Sequence, residues 1–418
     1  MEAQGEFIYP CYEDYCFSNI PRAVLNLFRL KDENQLSKIL ASAGITTANP
    51  KKIVLLLIDA LGYNQLMKYG DRYEIFRRFK KKGVIVPLTT VFPSTTTATL
   101  ATIHSGLTPQ EHGLLEWRMY FEELDKAVFP ILFTTATETI KRDQLLEAGI
   151  NPEILFDRET VYEILSDHRV PSFVFLRNDY CDSVYTRLVC RGSTTVPFIN
   201  SSDLIVNLRK TIETQSGLAY FYAYWDNVDT IAHAYGPHSD QYLAELNGFF
   251  YLLQKEFIEK LGKTAEEVAI IITADHGQIN VDPQETIYLD QYPEVETGLR
   301  VGPSGDKIVP WGSSRDFFLA IKPEKLNEVF EFLTETFHNK AVIIKSSEAL
   351  DRGLFGRGRA HDKFISRIGD ILILPHGNLT VWYEYFKNHR LNVLGMHGGL
   401  TAEEMLVPFI AARAAELV

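Results

Sequence analysis

Six side chains of metal-binding type are spread along the chain, and most of them directly follow an apolar run. Asp59 closes the run in LLLIDALG. Asp229 and His233 lie in WDNVDTIAHAYGP, Asp275 and His276 in IITADHGQ, and His397 in LGMHGGLTAEEM. Carboxylate oxygen and imidazole nitrogen are good ligands for zinc or manganese, and iron is also admitted by such a mixed set. Two such ions about 3.5–4 Å apart are a recurrent device of phosphoryl transfer. Six ligands divide into three per ion. That leaves coordination positions open to a substrate, whereas structural zinc is normally closed by four protein ligands. Asp229 and His233 are four residues apart and share a face if their segment is helical. Asp275 and His276 are adjacent, so both can point at one place only across a turn, and Gly277 is consistent with one. Each residue alone has a plainer reading, an aspartate as a helix N-cap or a histidine as a hydrogen-bonded structural residue. The set, at corresponding strand ends, points to a centre for two divalent cations.

A hydroxyl nucleophile is available nearby in sequence. FPSTTTATLATIHSG, Phe92 to Gly106, holds seven hydroxyl side chains in fifteen residues. If Thr96 is the reacting hydroxyl, the segment reads as a loop ending at Thr96 and a helix from about Thr97 to Ser105. A hydroxyl at a helix N-terminus lies beside free backbone N–H groups, which favour a phosphate. Thr95, Thr96 and Thr97 could each serve as the nucleophile or as the helix N-cap.

Distant residues of this kind meet only if the fold brings them to one edge. Five near-continuous apolar runs read as buried parallel strands: KKIVLLLIDA (51–60), VPSFVFL (170–176), LAYFYAYWD (218–226), EEVAIIITAD (266–275) and GDILILP (369–375). Helical periodicity lies between them, most clearly over 240–262 with Gly262 as a stop. Strands alternating with helices imply an α/β fold with a doubly wound, mostly parallel central sheet. In such sheets the carboxyl ends of the strands form the ligand crevice. One stretch breaks the rhythm: a Pro/Gly-rich passage, the strand-like RDFFLAIKP, the helix-like KLNEVFEFLTETFH and the strand-like KAVIIKS. It is read as a small inserted α+β cap over 296–357, with the core made of 1–295 and 358–418 and the main sheet resuming at GDILILP.

Composition narrows the class. The chain has 418 residues, 46% hydrophobic and 23% charged, as in ordinary globular proteins. A net charge of −12 argues against binding a nucleic-acid polymer, which needs a basic face. An anionic small-molecule substrate stays open, because a bound metal can be the largest local charge. Four cysteines without a CxxC pair form neither a disulfide framework nor a zinc finger. MEAQGEFIYPCYEDYCF lacks the basic and apolar regions of a signal peptide, and no apolar run approaches the roughly 20 residues of a membrane span. A cytoplasmic location is expected. FRRFKKKG (76–83) reads as the solvated last turn of a helix, His112 as structural, and His361 as a pocket or packing residue. Trp117 and Tyr120 could stack on a substrate ring or belong to the core.

The order of LLLIDALG, PSTTTATLATIHSGLTPQEHG, DTIAHAYGP, TADHG and GMHGG resembles the alkaline phosphatase superfamily. Within it the closest branch is the type I phosphodiesterase/nucleotide pyrophosphatase group, over most of 50–295 and 358–410. The resemblance implies an alkaline phosphatase-like three-layer sandwich and two divalent metals, commonly zinc, flanking a threonine or serine nucleophile. Carried over, one metal falls to Asp59, Asp275 and His276 together with the nucleophile. The other falls to Asp229, His233 and His397, with Asp226 as a substitute for Asp229. Related branches place the nucleophile ten residues before a glycine that corresponds to Gly106, which selects Thr96 and leaves Thr95 and Thr97 as alternates. The implied reaction is hydrolysis of a phosphodiester or nucleotide pyrophosphate through a phosphothreonine, on a small phosphate ester with nucleotides among the candidates. The chain departs from the nucleotide pyrophosphatase branch in HGLLEWRMYFEELD, which lacks the asparagine that helps hold a phosphoryl oxygen, and it lacks that branch's FPN. The backbone N–H of Thr97 is the alternative donor. Absence of CxPxR excludes the sulfatases. Phosphomonoester and phosphonate hydrolysis would use the same core, and a non-catalytic binding relative would be expected to have lost ligands. The cap and the loop at 113–130 are left to shape the leaving-group side.

Overall fold

The computed structural model describes residues 3–418. The strands that organise it are β1 (Lys52–Ile58), β2 (Val84–Thr89), β3 (Ser172–Arg177), β4 (Thr194–Phe198), β5 (Ala219–Trp225), β6 (Val268–Thr273), β7 (Trp311–Ser313), β8 (Asp316–Leu319), β9 (Ala341–Lys345), β10 (Ile371–Pro375) and β11 (Leu406–Arg413). Seven of them form the main sheet in the order β2-β11-β6-β1-β5-β3-β4. Its pairings are parallel except for the two made by β11, which runs against both β6 and β2. Every residue of β1, β5 and β6 is buried, so both faces of the sheet centre are covered. Burial on both faces is what made these runs continuously apolar. The helices used below are α1 (Thr96–Ser105), α2 (Val184–Val189), α3 (Asn227–Tyr235), α4 (Asp240–Leu252) and α5 (Leu326–Thr336). This is the doubly wound, mostly parallel α/β architecture expected of an alkaline phosphatase-like fold. Among the described residues no helix is long and apolar enough to cross a membrane.

Three strands of the main sheet were not expected. The first half of β2 is only half-buried and β4 is largely exposed, as befits edge strands; β4 carries no apolar run, and β2 has the apolar VIVPL but with Pro87 within it. The third, β11, contains Pro408, which ordinarily argues against an interior strand. Here Pro408 stands opposite Pro87 and lies beyond the last pair with β6, Phe409 opposite Thr273.

GDILILP does not resume the main sheet. Its strand, β10, lies in a second, antiparallel sheet of order β7-β8-β10-β9. A boundary at 357 therefore cuts this sheet, and the main sheet resumes only with β11. The run is apolar on both faces because the second sheet is covered on both. Ile371 and Ile373 pack with Phe317, Leu319 and with Val329 and Leu333 of α5. Leu372 and Leu374 join the main core together with Phe318. The helix expected over 240–262 is α-helical only through Leu252. It continues as a π-turn, Leu253–Phe257, and a 3-10 turn before Gly262 adopts φ +54°.

Candidate active site

All the strands that lead into the site end at one edge of the main sheet. Asp59 follows β1, the hydroxyl segment follows β2, α3 follows β5, and Asp275 and His276 follow β6. His397 reaches the same edge by a different route. It precedes β11, and because that strand is reversed its start lies where its neighbours end.

The hydroxyl segment sorts itself by hydrogen bonding. Ser94 Oγ donates to the Gly399 carbonyl at 2.8 Å and accepts from Gly398 N at 3.1 Å. Thr95 is the N-cap of α1; its Oγ1 accepts from Ala98 N at 3.4 Å and donates to the Leu115 carbonyl. Thr96 is the first helical residue, one earlier than expected, and is spared the capping role. Its Oγ1 lies 3.1 Å from Nε2 of His276. The N–H groups of Thr96 and Thr97, in the first turn, have no intrahelical acceptor. Gly106 ends the helix at φ +75°, the left-handed conformation that suits glycine there.

Two clusters surround that hydroxyl. Asp59, Asp275 and His276 offer ligand atoms within 4.8 Å of one another, and so do Asp229, His276 and His397. His276 therefore stands between the two, with Nε2 3.5 Å from Asp59 Oδ1 and 3.4 Å from Asp275 Oδ2. Its ring stacks on that of His397 at 3.6 Å between centroids. His233, one turn of α3 after Asp229, brings Nε2 to 3.3 Å from Asp229 Oδ1, while His397 Nε2 is 3.7 Å from the same oxygen. The structure thus gathers all six residues around Thr96.

The histidines are held alike. Nδ1 of His233 meets the Gly395 carbonyl at 2.7 Å, that of His276 the Gly277 carbonyl at 3.1 Å, and that of His397 the Ser94 carbonyl at 2.9 Å. A carbonyl only accepts, so each Nδ1 carries a proton and each Nε2 faces the site, as a lone pair at His276 and His397 and toward the Asp229 carboxylate at His233. The carboxylates are partnered as well, Asp59 and Asp275 on the oxygen turned away from His276 and Asp229 on the same Oδ1 that faces His233 and His397. Tyr224 donates to Asp59 Oδ2, Gln278 Nε2 to Asp229 Oδ1, and the N–H groups of Ala60 and His276 to Asp275 Oδ1 at 3.1 and 2.9 Å. Asp59 Oδ1 and Asp275 Oδ2 remain buried with no hydrogen-bond partner.

Electrostatics agree with a site built for cations. Burial, then the Asp275 and Asp229 carboxylates, pushes Asp59 well above the usual carboxylate range. Burial raises Asp275 to about 6. Burial lowers His276 to about 4 and His397 to about 3, so both are neutral. Burial also opposes charge on Asp229, but His233 outweighs it and holds that carboxyl below its ordinary value. In return Asp229 overcomes the desolvation of His233 and raises it.

Other expectations resolve locally. Asp226, the substitute for Asp229, is engaged by Tyr180 at 3.1 Å and Arg177 at 3.4 Å. His112 is buried between Thr102 and the Leu114 N–H. His361 faces Asp157 and does not line the site cavity. Tyr120 bonds Asp125 and packs on Trp311, away from the cavity, while Trp117 stands half-exposed at its rim. FRRFKKKG is the end of helix Glu74–Lys82. Gly83 there is not left-handed. A Cβ at that position would lie 2.5 Å from the Ala411 carbonyl, so close approach to β11 explains the glycine.

Sequence reasoning missed the carboxylate partners Tyr224 and Gln278. It also missed Glu116, a fully buried carboxyl beside Asp316 on the cavity wall. Tyr224 ends a strand already recognised, and Gln278 follows the DHG element by one residue. Both positions were visible, but their partners were not.

The cavity that contains Thr96 has a volume of about 580 Å³. Three solved structures share the fold. Murine ectonucleotide pyrophosphatase/phosphodiesterase 5, an inactive form in complex with AMP, superposes with a TM-score of 0.64 at 18% identity, covering 87% of this chain and 88% of its own. The human protein of that name gives 0.64 at 21% identity, over 86% and 87%. Phosphonoacetate hydrolase from Sinorhizobium meliloti 1021, in complex with phosphonoacetate, gives 0.63 at 18% identity, over 87% and 90%. No curated relative matches the chain in sequence. The family description "Type I phosphodiesterase / nucleotide pyrophosphatase" matches residues 53–400, a span that runs from β1 to the loop of His397 and takes in Thr96 and both clusters. With that match over most of its length, the chain belongs to the type I phosphodiesterase/nucleotide pyrophosphatase family of the alkaline phosphatase superfamily, a family of phosphoester hydrolases.

Proposed function

We propose that this hydrolase cleaves phosphodiester or nucleotide-pyrophosphate bonds of small molecules through a covalent phosphothreonine at Thr96, with two divalent cations, zinc in first place and manganese in second. The observation that carries this reading is the Thr96 hydroxyl at the first position of α1, relieved of the N-cap by Thr95 and 3.1 Å from His276, the residue common to both carboxylate–imidazole clusters. The residues fit cations by their own chemistry. Asp59 Oδ1 and Asp275 Oδ2 are buried acceptors without donors, and all three histidines turn Nε2 inward. Asp59, Asp275 and His276 would hold one ion with Thr96, and Asp229, His233 and His397 the other. When bound, the ions supply Lewis acidity, which lowers the pKa of the attacking hydroxyl and stabilises charge on the entering and leaving oxygens.

The chain supplies the rest. Packing fixes Thr96 at the first position of α1, and the free N–H groups of Thr96 and Thr97 face a developing negative charge. Thr97 N–H thereby takes the place of the absent asparagine. The threonine oxygen forms a bond to phosphorus as the bond to the leaving oxygen breaks in line, and the hydroxyl proton is lost to solvent. Water then cleaves the threonine–phosphorus linkage from the vacated side, releasing the phosphate product and restoring the hydroxyl. All four cysteines are free, which supports action in a reducing compartment such as the cytoplasm.

The test compares bis-(4-nitrophenyl) phosphate with 4-nitrophenyl phosphate in added zinc or manganese. Faster turnover of the diester is expected, and loss of it in Thr96→Ala. A strong monoester preference would overturn the diesterase reading. Retained turnover in the variant would overturn the nucleophile. Elemental analysis is expected to find close to two metals per chain.

A further inference from the structure

The cavity extends well past the cation cluster. From Thr96 it runs along α1, past Thr97, Leu100 and His104, to Tyr185 and Val189 of α2 and the capping residue Cys190. Ile131 and Leu132 form part of its outer wall. This inner reach is apolar in character. Leu100, Val189 and Cys190 are all buried, and burial holds His104, bonded through Nδ1 to Tyr162 at 2.8 Å, at about 3 and so uncharged.

Its charge is also informative. No lysine lines the cavity, and its one arginine, Arg142, reaches the Ile131 carbonyl at 3.4 Å. The other charged lining groups are carboxylates: Asp59, Glu116, Asp226 and Asp229. A substrate with further phosphate groups would find only Arg142 among four carboxylates, not the cluster of cationic side chains that polyphosphates require. An apolar substituent would be desolvated favourably against Leu100, Leu132 and Val189. The Tyr185 hydroxyl is buried without a partner, and gives the chamber one donor for an ester or ether oxygen.

We infer that the chamber between α1 and α2 is a substrate subsite for an uncharged, apolar organic group carried on the scissile phosphate. Hydrophobic phosphodiesters, rather than nucleoside polyphosphates, are then the preferred substrate class. This rests on the hydrolase reading above for its link to turnover, but not for binding.

The experiment is therefore a binding one first. Alkylphosphonates of two, four, six and eight carbons, phenylphosphonate and adenosine 5′-monophosphate are titrated calorimetrically into the metal-loaded protein. Affinity is expected to rise about fourfold per added methylene until the chamber is full. The octyl compound should then bind at least tenfold more tightly than the nucleotide. Comparing octyl with phenyl separates a chain-like from an aromatic occupant. Val189→Trp, which fills the chamber, and Leu132→Glu, which puts charge on its half-buried wall, should both flatten the chain-length dependence; the second keeps the test valid if the first does not fold. Affinity independent of chain length, or tighter binding of the nucleotide, overturns the inference. The matching alkyl 4-nitrophenyl phosphodiesters give the kinetic arm, in which KM should fall with chain length. Binding that follows chain length without any turnover would sink the hydrolase reading and leave the subsite standing.

Discussion

The two halves of the candidate metal centre differ in depth. Asp59, Asp275 and His276 have side chains at most 3% exposed, whereas Asp229, His233 and His397 expose 18%, 25% and 11%. Both halves use the same ligand types and the same backbone-carbonyl anchoring of imidazole. Burial makes them behave differently without a cation. In the deep half two carboxylates share a dry site, and each is driven toward its protonated form. In the open half one carboxylate is matched by imidazole, and Asp229 stays ionised. The deep half thus carries a stored electrostatic penalty that a cation would relieve, and the open half is nearly self-neutralising.

The largest expected effect lies where the halves meet. Thr96→Ala should reduce kcat/KM for bis-(4-nitrophenyl) phosphate by at least about a thousandfold with the fold unchanged by circular dichroism, and Thr96→Ser should recover part of it. Equal activity of the alanine variant would remove Thr96 from the centre of both clusters.

Next come the carboxylate partners. Tyr224→Phe, beside Asp59, and Gln278→Ala, beside Asp229, should each weaken one metal site by about 10–100-fold. Competition with a chelating dye reads this as two resolved affinities. Both variants weakening the same site would break the division into halves.

A smaller effect distinguishes the halves by sign. In metal-free protein, Asp59→Asn should raise Tm by about 1–3 °C by removing a buried like-charge contact. Asp229→Asn should lower it, because it strips His233 of its partner. Scanning calorimetry after chelation is the measurement, and shifts of one sign in both variants would contradict the contrast.

The smallest effect is in pH. Asp275 has a folded pKa of about 6, above its unfolded value near 3.9. Its contribution to stability is therefore full below the unfolded value and is lost as pH rises through 6. Metal-free protein should lose Tm between about pH 4 and 6.5 through this group, and added zinc should abolish much of that slope. A metal-free Tm that rises across the same window would place the penalty elsewhere.

Legibility followed physical cause. β1, β5 and β6 could be read because burial on both faces demands unbroken apolar runs. β10 was read as a strand but assigned to the wrong sheet, since an apolar run reports burial and not the identity of the neighbour. β4 escaped because an edge strand needs no such run, and β2 and β11 because Pro87 and Pro408, which face each other, interrupt theirs. Among the site residues, Asp59, Asp229, His233, Asp275, His276 and His397 stood out by type, spacing and strand-end position. Glu116, Tyr224 and Gln278 did not, because a hydrogen bond between residues some 50 to 200 positions apart leaves no local trace.

By itself the amino-acid sequence determined which groups could do chemistry and that they sit at the ends of buried strands, because side-chain type and hydrophobic pattern are local properties. Only the tertiary structure decided the rest. It gave the N-cap to Thr95 and freed Thr96, brought His397 to the working edge through the reversal of β11, and placed His276 between the two clusters. It also opened an apolar chamber behind α1, and depth within the fold separated one trio of candidate ligands from the other. Those outcomes depend on which distant backbone packs against which, and on the solvent that such packing excludes.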